Sequence, residues 1–365
     1  MLYRVIGIMS GSSLDGLDIA FVEFEETARK WSYEIKAAKC QPYTREWFQR
    51  LQNATNLSAY DYLLLHTAYG KYIGEQVNTF IDEFNLHHKV QLICSHGHTT
   101  FHSPANGMTA QLGDGAAIAA ATEINVVSDL RAVDVAFGGQ GAPIVPIGEK
   151  LLLDDFAYFL NLGGIANLSL KRSGGYIAFD ICAANRVLNM LAQAKGKVYD
   201  EGGSIAASGK VYTPMLTRLN ALNYYSLPHP KSLANTFGTD EVFPLVNAFD
   251  ISNADKLRTY TEHIAMQTGY AVQKIAGTNE IGNKRLLATG GGAFNTFLIQ
   301  RLKQTLEPLN IEVLVPDAML INYKEALIMA LIGVLRWREE YNVLDTVTGA
   351  RRSSIGGAVW IGQEA

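Results

Sequence analysis

The first pattern of apolar and polar positions in the chain predicts a β-hairpin. Two apolar runs flank a polar, glycine-containing tip in VIGIMSGSSLDGLDIAF, from Val5 to Phe21. Glycine and small polar residues adopt turn conformations at low steric cost. The pattern therefore predicts strand, turn and strand at the start of the chain.

The second half of the chain repeats this pattern. FLNLGGIANLSL, from Phe159 to Leu170, again joins two apolar runs through a glycine-rich tip, and YIAFDI, from Tyr176 to Ile181, follows as another strand. A further strand, RLLATGGGAFN, ends on the consecutive glycines Gly290, Gly291 and Gly292. The repetition indicates two related half-molecules.

Helical spacing of apolar residues fills the intervals between these strands. The segments with that spacing are Tyr60 to Phe84, Gly115 to Thr122, Lys256 to Ile275 and Lys324 to Arg338. A strand is predicted over Ile124 to Leu130, and VYTPMLTRLNALNYYSLPHP predicts an irregular segment or short helices. Glycine and proline in FGGQGAPIVP break either periodicity, so the predicted domains are residues 1–137 and 138–334, and residues from about 335 to 365 could pack back on the first.

Composition narrows the choice of partner and compartment. With 365 residues, 48% of them hydrophobic, the chain is longer than one compact core usually serves. A formal net charge of −4 without blocks of like charge gives no reason to expect nucleic acid or a membrane, and favours a small solute. Cys40, Cys94 and Cys182 form neither a disulfide framework nor a metal-binding spacing. With no basic leader and no apolar run of about 18 to 20 residues, a cytoplasmic protein is expected.

The three glycine-rich strand ends carry the first functional signal. Each alone is more often ordinary turn chemistry than a ligand site. Together they could enclose a nucleotide, because glycine exposes backbone N–H groups that cradle phosphate oxygens. The chain has neither a G-x-x-x-x-G-K-[ST] loop nor a G-x-G-x-x-G turn of dinucleotide-binding spacing, so the hairpins themselves are the candidate cradle.

A set of motifs in family order resembles the anhydro-N-acetylmuramic acid kinases. The motifs span nearly the whole chain. They are MSGSSLDGLD (Met9 to Asp18), SHGHT (Ser95 to Thr99), DLRAVD (Asp129 to Asp134), GGQGAP (Gly138 to Pro143), NLGGIAN (Asn161 to Asn167), FDICAAN (Phe179 to Asn185) and TGGGAFN (Thr289 to Asn295). The resemblance implies an α/β fold of two actin-like, ribonuclease-H-like domains with ATP in the cleft between them.

The resemblance also implies which loops bind ATP. The opening hairpin becomes the first phosphate loop, NLGGIAN the second, and TGGGAFN the adenosine-side loop. The implied cofactor-binding residues are Gly11, Ser12, Ser13, Leu14, Asp15, Gly16, Leu17, Asp18, Gly163, Gly164, Gly290, Gly291 and Gly292. Mg²⁺ would arrive with ATP, with Asp15, Asp18 and Asp180 as candidate ligands and no dedicated metal site in the protein.

The implied reaction converts 1,6-anhydro-N-acetylmuramic acid, ATP and water to N-acetylmuramic acid 6-phosphate and ADP, in cell-wall recycling. One carboxylate can begin it by taking the proton of the attacking water, and Asp180 matches the family's base. A structural alternative is that Asp180 caps a helix beginning near Ala183.

Three further residues are implied on the substrate side. Arg131 could pair with the lactyl carboxylate, although it could instead form a surface ion pair with Asp129 or Asp134. Glu325 resembles a carboxylate that holds sugar hydroxyls, although an acidic residue in a first helical turn is stabilising by itself. His98 is expected to face the sugar. Strand alternation would place it on the same face as His96, but no third ligand supports zinc.

Two departures from the family pattern affect substrate fit. Ile181 to Ala184 replaces a glycine- and proline-containing segment, and the segment from Pro230 to Phe243 matches the family only in its first residues. Another carbohydrate kinase of the same fold and a non-catalytic sugar or nucleotide sensor therefore stay open. The expected partners are an amino sugar and ATP, and the oligomeric state, including a possible homodimer, is not fixed by the sequence.

Overall fold

A computed structural model describes residues 1–11, 13–172, 175–229, 231–234, 236–276 and 284–363. Its strands are β1 (Leu2–Ser10), β2 (Gly16–Thr27), β3 (Lys30–Pro42), β4 (Leu92–Ser103), β5 (Met108–Leu112), β6 (Val126–Ser128), β7 (Tyr158–Leu162), β8 (Ile165–Arg172), β9 (Gly175–Ala183), β10 (Arg285–Thr289), β11 (Glu312–Leu314) and β12 (Ala358–Trp360). Its α-helices are α1 (Arg45–Gln52), α2 (Ala59–Glu83), α3 (Gly115–Thr122), α4 (Ala132–Ala136), α5 (Pro146–Leu152), α6 (Asn185–Gln193), α7 (Ser204–Ser208), α8 (Thr213–Asn220), α9 (Phe243–Asn247), α10 (Asn253–Ala276), α11 (Thr296–Leu306), α12 (Ala318–Trp337) and α13 (Asp345–Thr348).

Packing divides the chain into two compact units. The first comprises Met1–Leu153 and Tyr323–Ala365, and the second comprises Asp154–Asn322. The chain thus changes unit after Leu153 and after Asn322, compared with the predicted changes after 137 and 334. Because the chain leaves the first unit later than predicted, α5 belongs to the first unit. It packs tightly there, since a Cβ on Gly148 of α5 would lie 2.4 Å from Ile328.

The first unit is built on a sheet with the order β12-β6-β4-β1-β2-β3, and β5 pairs with β4. β1, β2 and β3 are antiparallel neighbours, whereas β1, β4 and β6 run parallel. Val5 to Ile8 of β1 are almost fully buried, as expected of a central strand covered on both faces.

The second unit repeats this arrangement with the order β11-β10-β7-β8-β9. β7, β8 and β9 are antiparallel, and β7, β10 and β11 are parallel. In each sheet an antiparallel three-stranded meander is extended by parallel strands beside its first strand, which is the ribonuclease-H-like order expected of actin-like domains. The predicted α/β fold of two related halves is confirmed.

Helix α12 is the longest apolar element of the chain's last part. By length and composition it could cross a membrane, but 72% of its most apolar window is buried inside the protein, as in a core helix. The expectation that no run reaches this length is therefore wrong. Lys324 and Glu325 interrupt the run in the sequence, but Lys324 is buried and its Nζ lies 3.5 Å from Glu149 Oε1.

Candidate active site

The opening hairpin forms as predicted, and its two glycines have different surroundings. β1 and β2 pair up to Ser10 opposite Leu17. A Cβ on Gly16 would lie 2.6 Å from Cys40 Sγ and 2.7 Å from Gln41 O, whereas one on Gly11 would meet only Ser13 Oγ, at 3.3 Å. Gly16 is therefore needed for close packing on β3, and Gly11 leaves its loop backbone accessible.

Among the remaining positions of this predicted first phosphate loop, Ser13 and Asp15 are exposed and Leu14 is half-buried. Ser13 Oγ donates to Asp15 Oδ1 at 2.7 Å, and Leu14 has a φ of +56°, a left-handed conformation. The side chain of Leu17 lies in the core, so only its backbone is available to a ligand. Ser12 lies outside the described residues.

Asp18 is a half-buried carboxyl at the base of this loop. Burial raises its pKa to about 6, the Cys40 thiol that hydrogen-bonds it acts in the opposite direction, and the charges of Asp15 and Glu325 raise it further. Glu325 also raises the pKa of Arg131, which burial lowers to about 10. The carboxylate of Glu325 is thus within electrostatic range of both Asp18 and Arg131.

Glu325 is not in the first turn of its helix. Because α12 begins at Ala318, Glu325 lies two turns inside it, so the stabilising effect of a helix N-terminus does not explain the residue.

His98 is held by a buried row of hydroxyl groups. Ser10 Oγ lies 3.0 Å from His98 Nδ1 and 2.7 Å from Tyr43 OH, which in turn lies 2.6 Å from Tyr69 OH. Burial lowers the pKa of His98 and raises that of Tyr43 to about 12, so these groups are neutral near pH 7. His98 therefore has one ring nitrogen fixed by the end of the first strand.

Arg131 is fixed by His96, whose spacing from His98 in the sequence first suggested a metal site. Nδ1 of His96 donates to Gly97 O at 2.9 Å, so its Nε2 is free to accept from Arg131 Nε at 2.8 Å. Burial, more than the nearby guanidinium, lowers the pKa of His96 to about 3 and keeps the ring neutral.

The other contacts of Arg131 leave part of its guanidinium open. Nη1 donates to Gly141 O at 2.5 Å, and in the described chain Nη2 has no partner. Asp134 instead accepts from Gly141 N and Thr348 Oγ1, both at 2.7 Å, so the suggested ion pair of Arg131 with Asp129 or Asp134 does not form.

The two histidines do not follow simple strand alternation. Gly97 between them has a φ of +70°, and the pairing of β1 with β4 shifts at this point. His96 binds Arg131 whereas His98 binds Ser10. Within the described ranges, no group of three or more His, Cys, Asp or Glu side chains could hold a metal ion.

In the second unit, Asp180 lies in strand β9 beside a bulge. The register shifts between Ala166 and Asn167, so that Ala166 pairs with Cys182 and Asn167 with Asp180. Bulges commonly re-aim a side chain beside an active site. α6 begins at Asn185, after Ala184, so the alternative that Asp180 caps this helix is wrong.

The Asp180 carboxylate is half-buried and held on one side only. Its Oδ2 accepts from Leu233 N at 2.8 Å, and no described residue donates to Oδ1. Its own backbone N donates to Lys231 O at 3.1 Å, and its carbonyl accepts from Tyr224 OH at 2.7 Å. Burial raises the pKa of Asp180 against the smaller opposite effect of Leu233 N. A carboxylate with one free oxygen and a raised pKa suits a general base.

Gly163 and Gly164, predicted to form the second phosphate loop, join β7 to β8 beside the start of α6. The loop carbonyls accept hydrogen bonds from this helix: Ala184 N lies 2.8 Å from Gly164 O, and Asn185 N lies 3.1 Å from Gly163 O. In the described structure, the loop's own two N–H groups donate to no carbonyl. They are available to an anion.

The three glycines after β10 divide into two roles. A Cβ on Gly290 would lie 2.6 Å from Asn161 Oδ1, and one on Gly292 would lie 2.7 Å from Leu162 Cβ. Both are needed for packing against β7. A Cβ on Gly291 would approach nothing nearer than Asn185 Nδ2, at 3.8 Å, so Gly291 is the open position of the predicted adenosine-side loop.

Sequence reasoning missed the groups that hold the predicted residues. His96 orients Arg131, Ser10 orients His98, and Leu233 N binds Asp180. The resemblance gave one signal, because Leu233 lies near the start of the segment from Pro230 to Phe243, which departs from the family pattern after its first residues. A cavity of about 430 Å³ in the second unit, lined by Asn220, Gln267, Tyr270 and Lys274 among others, contains none of the predicted site residues.

Comparison with known proteins identifies the family. The family model described as anhydro-N-acetylmuramic acid kinase matches residues 3–362. The chain belongs to this family. The anhydro-N-acetylmuramic acid kinase of Sulfurovum sp. (strain NBC37-1) is 33% identical, with 98% of this chain and 99% of that protein aligned. The one of Gloeobacter violaceus is also 33% identical, with 95% and 96% aligned.

Among solved structures, the activator of the 2-hydroxyisocaproyl-CoA dehydratase from Clostridium difficile with bound ADPNP has a TM-score of 0.44 and 14% identity, covering 92% of this chain and 96% of its own. Membership of the kinase family confirms the predicted family and enzyme class, and ATP is the phosphate donor of such an enzyme.

Proposed function

We propose that the chain hydrolytically opens 1,6-anhydro-N-acetylmuramic acid and phosphorylates its O6 with ATP, using Asp180 as general base. The observation that carries the assignment is the state of Asp180: one carboxylate oxygen accepts from Leu233 N, the other is open, and burial raises the pKa. A group in this state can hold a water through its free oxygen and take its proton.

The bonds formed and broken in this reaction balance once Asp180 takes the proton of the attacking water. Oxygen of the water forms a bond to C1 of the sugar, the bond between C1 and O6 breaks, and O6 bonds to the γ-phosphorus as the bond to ADP breaks. Asp180 accepts the water's proton and later returns it to solvent. General-base catalysis of this kind typically contributes about 10²- to 10⁴-fold in rate.

ATP would bind through backbone N–H groups at the open glycines. Gly11 in the first phosphate loop, Gly163 and Gly164 in the second, and Gly291 in the adenosine-side loop leave their backbones accessible. Gly16, Gly290 and Gly292 support these loops by close packing. Backbone amides suit phosphate because they add positive partial charge without desolvating a side chain.

The residues present fit a Mg²⁺ ion that arrives with ATP. Asp18 carries a carboxyl whose pKa burial raises to about 6, with the charge of Asp15 nearby, and a cation would relieve that repulsion. Mg²⁺ needs only one or two protein carboxylates when phosphates and waters complete its shell. When bound, it would neutralise charge that develops on the transferred phosphoryl group.

The sugar would be recognised by residues of the first unit. The open end of the Arg131 guanidinium offers parallel donors to the lactyl carboxylate, His98 offers its second ring nitrogen, and Glu325 offers acceptors to hydroxyl groups. A homodimer and a cytoplasmic location stay predictions, which sedimentation velocity and cell fractionation would check.

A coupled ADP-release assay tests the proposal. The substrates would be 1,6-anhydro-N-acetylmuramic acid, N-acetylmuramic acid, N-acetylglucosamine and glucose, with the product formed in ¹⁸O-water analysed by mass. We expect turnover with the anhydro sugar and one solvent oxygen at C1. Faster turnover of an ordinary hexose would indicate another carbohydrate kinase, and sugar binding without ADP release would indicate a sensor.

A further inference from the structure

Arg186 stands at the junction of the second phosphate loop and α6. It is the second residue of the helix, and its backbone N lies 3.4 Å from Gly164 O. Neither the glycine pattern nor the family motif assigns it a role. Its side chain is nonetheless positioned by two glycines, since a Cβ on Gly164 would lie 3.8 Å from Arg186 Nε and one on Gly238 would lie 3.5 Å from Arg186 Cδ.

The guanidinium of Arg186 lacks the partner that its burial calls for. Nε is buried and makes no hydrogen bond, and no carboxylate of the described ranges forms an ion pair with Arg186. Buried donors are paired in the great majority of cases, and an unpaired one attached to a charge is costly. An anion at this position would satisfy it.

A second buried arginine Nε shows that burial alone is not the signal. Arg258 Nε is also unpaired, but its guanidinium lies 3.9 Å from Glu262 through Nη2 and 4.8 Å from the centre of the Phe297 ring. Its charge is therefore balanced within the protein. In the described part of the chain Arg186 has no comparable neighbour, and it borders a loop whose N–H groups are open.

We propose that Arg186 binds a phosphate of the adenine nucleotide together with the N–H groups of Gly163 and Gly164. This inference rests on the proposed function, in which the loop binds ATP. The guanidinium presents Nε–H and an Nη–H in parallel, which matches two phosphate oxygens, and the adjacent start of α6 adds favourable positive potential. The proposed partner is a phosphate that ADP and ATP share, so both nucleotides should depend on Arg186.

Nucleotide binding to the full chain provides the test. Calorimetry would give dissociation constants of ATP, ADP and adenosine for wild type, Arg186→Met and Arg186→Lys. Arg218→Met is the matched control, because Arg218 lies in the same unit with its guanidinium 5.7 Å from the Phe249 ring. We expect Arg186→Met to weaken ATP and ADP by about 10- to 100-fold and adenosine by less than about twofold, as loss of a charge-assisted hydrogen bond predicts.

The lysine variant separates charge from shape. Arg186→Lys keeps the charge without the fork, so ATP affinity should fall between that of Arg186→Met and that of wild type, in a protein that melts at the wild-type temperature. Unchanged ATP and ADP affinity in a folded Arg186→Met, or equal loss for adenosine, would overturn the inference while leaving the proposed function intact. Absence of ATP binding by wild type would instead defeat the proposed function.

Discussion

At the scale of single residues, Asp180 is the position where chemistry and binding should separate. Asn at this position can still accept the hydrogen bond from Leu233 N but cannot take a proton. We therefore expect Asp180→Asn to bind ATP and the anhydro sugar while turnover falls by at least about 10²-fold. Steady-state rates and calorimetry measure the two properties. Near-normal turnover, with mass showing no deamidation, would move the search to Asp129, Asp134 and Glu325.

His96 should act through Arg131. Because its Nε2 accepts from Arg131 Nε, His96→Ala frees the guanidinium to rotate and should raise the KM for the anhydro sugar roughly 10-fold, leaving the KM for ATP unchanged. His96→Gln, which retains an acceptor, should recover part of this loss. Exposed His87→Ala is the control. Equal changes in both KM values would show that His96 only supports folding.

At the scale of elements, the opening hairpin contains two glycines whose replacement by valine should have different effects on stability and on ATP binding. Gly16→Val would drive its side chain into Cys40 and Gln41, so it should lower the free energy of unfolding by roughly 1–3 kcal/mol or more. Gly11→Val would press only on Ser13, whose exposed hydroxyl at 3.3 Å can move aside, so it should keep near wild-type stability. It should weaken ATP binding about 10-fold, because the new side chain covers the loop amides. Urea unfolding and calorimetry distinguish these results. Unchanged ATP affinity in Gly11→Val would argue against a phosphate loop here.

Helix α10 should make the protein sensitive to acid. Its His263 is buried between Asn220 Oδ1 at 2.7 Å and Tyr225 OH at 3.0 Å, and burial lowers its pKa from 6.5 to about 3. Between pH 6.5 and about pH 3, His263 therefore binds a proton in the unfolded chain but not in the folded protein. The contribution of the neutral His263 ring to the free energy of unfolding is fully present above pH 6.5 and is lost as the pH falls towards 3. At pH 5 the loss is about 2 kcal/mol.

His263→Gln tests this assignment, because Gln can hydrogen-bond without titrating in this range. Its free energy of unfolding should fall less than that of wild type between pH 7.5 and pH 5, by about 2 kcal/mol. His87→Gln, on the surface, should follow wild type. Parallel pH curves for wild type and His263→Gln would contradict the prediction.

Local patterns in the sequence predicted the helices and strands better than they predicted the contacts between residues distant in the sequence. The hairpin turns, α2 and α3 follow from turn chemistry and helical spacing over neighbouring residues. Strand β3 was missed because its residues alternate between exposed and half-buried at a sheet edge, without an apolar run. The start of α12 was placed late, which misassigned Glu325 to a first turn.

The candidate site depends on contacts that no local pattern encodes. Leu233 N and Asp180 are 53 residues apart, and Arg131 and His96 are 35 apart. The family motifs predicted a base at Asp180 and a substrate-binding guanidinium at Arg131, but only the fold shows which groups hold them. The same limit applied to the glycines, whose packing roles depend on distant neighbours such as Leu162 and Cys40.

At the scale of the whole molecule, the two units differ in continuity. The second is one segment, Asp154–Asn322, whereas the first needs both Met1–Leu153 and Tyr323–Ala365. We expect the fragment 154–322 to unfold cooperatively on its own. A fragment 1–153 lacks β12 and all of α12, so it should expose the surface around Gly7 and aggregate. Circular dichroism and light scattering would check both, and a monomeric, cooperatively melting 1–153 would contradict the prediction.

The contact between the loop after β10 and the end of β7 has a consequence for how this protein can vary over evolution. A Cβ on Gly292 would lie 2.7 Å from Leu162 Cβ and 2.9 Å from Asn185 Oδ1, so there is no room for both a side chain at 292 and leucine at 162. Because every residue except glycine has a Cβ where Leu162 has one, a homologous chain that carries alanine at 292 should carry glycine at 162. The residues at positions 162 and 292, far apart in the sequence, should therefore change together among homologous chains.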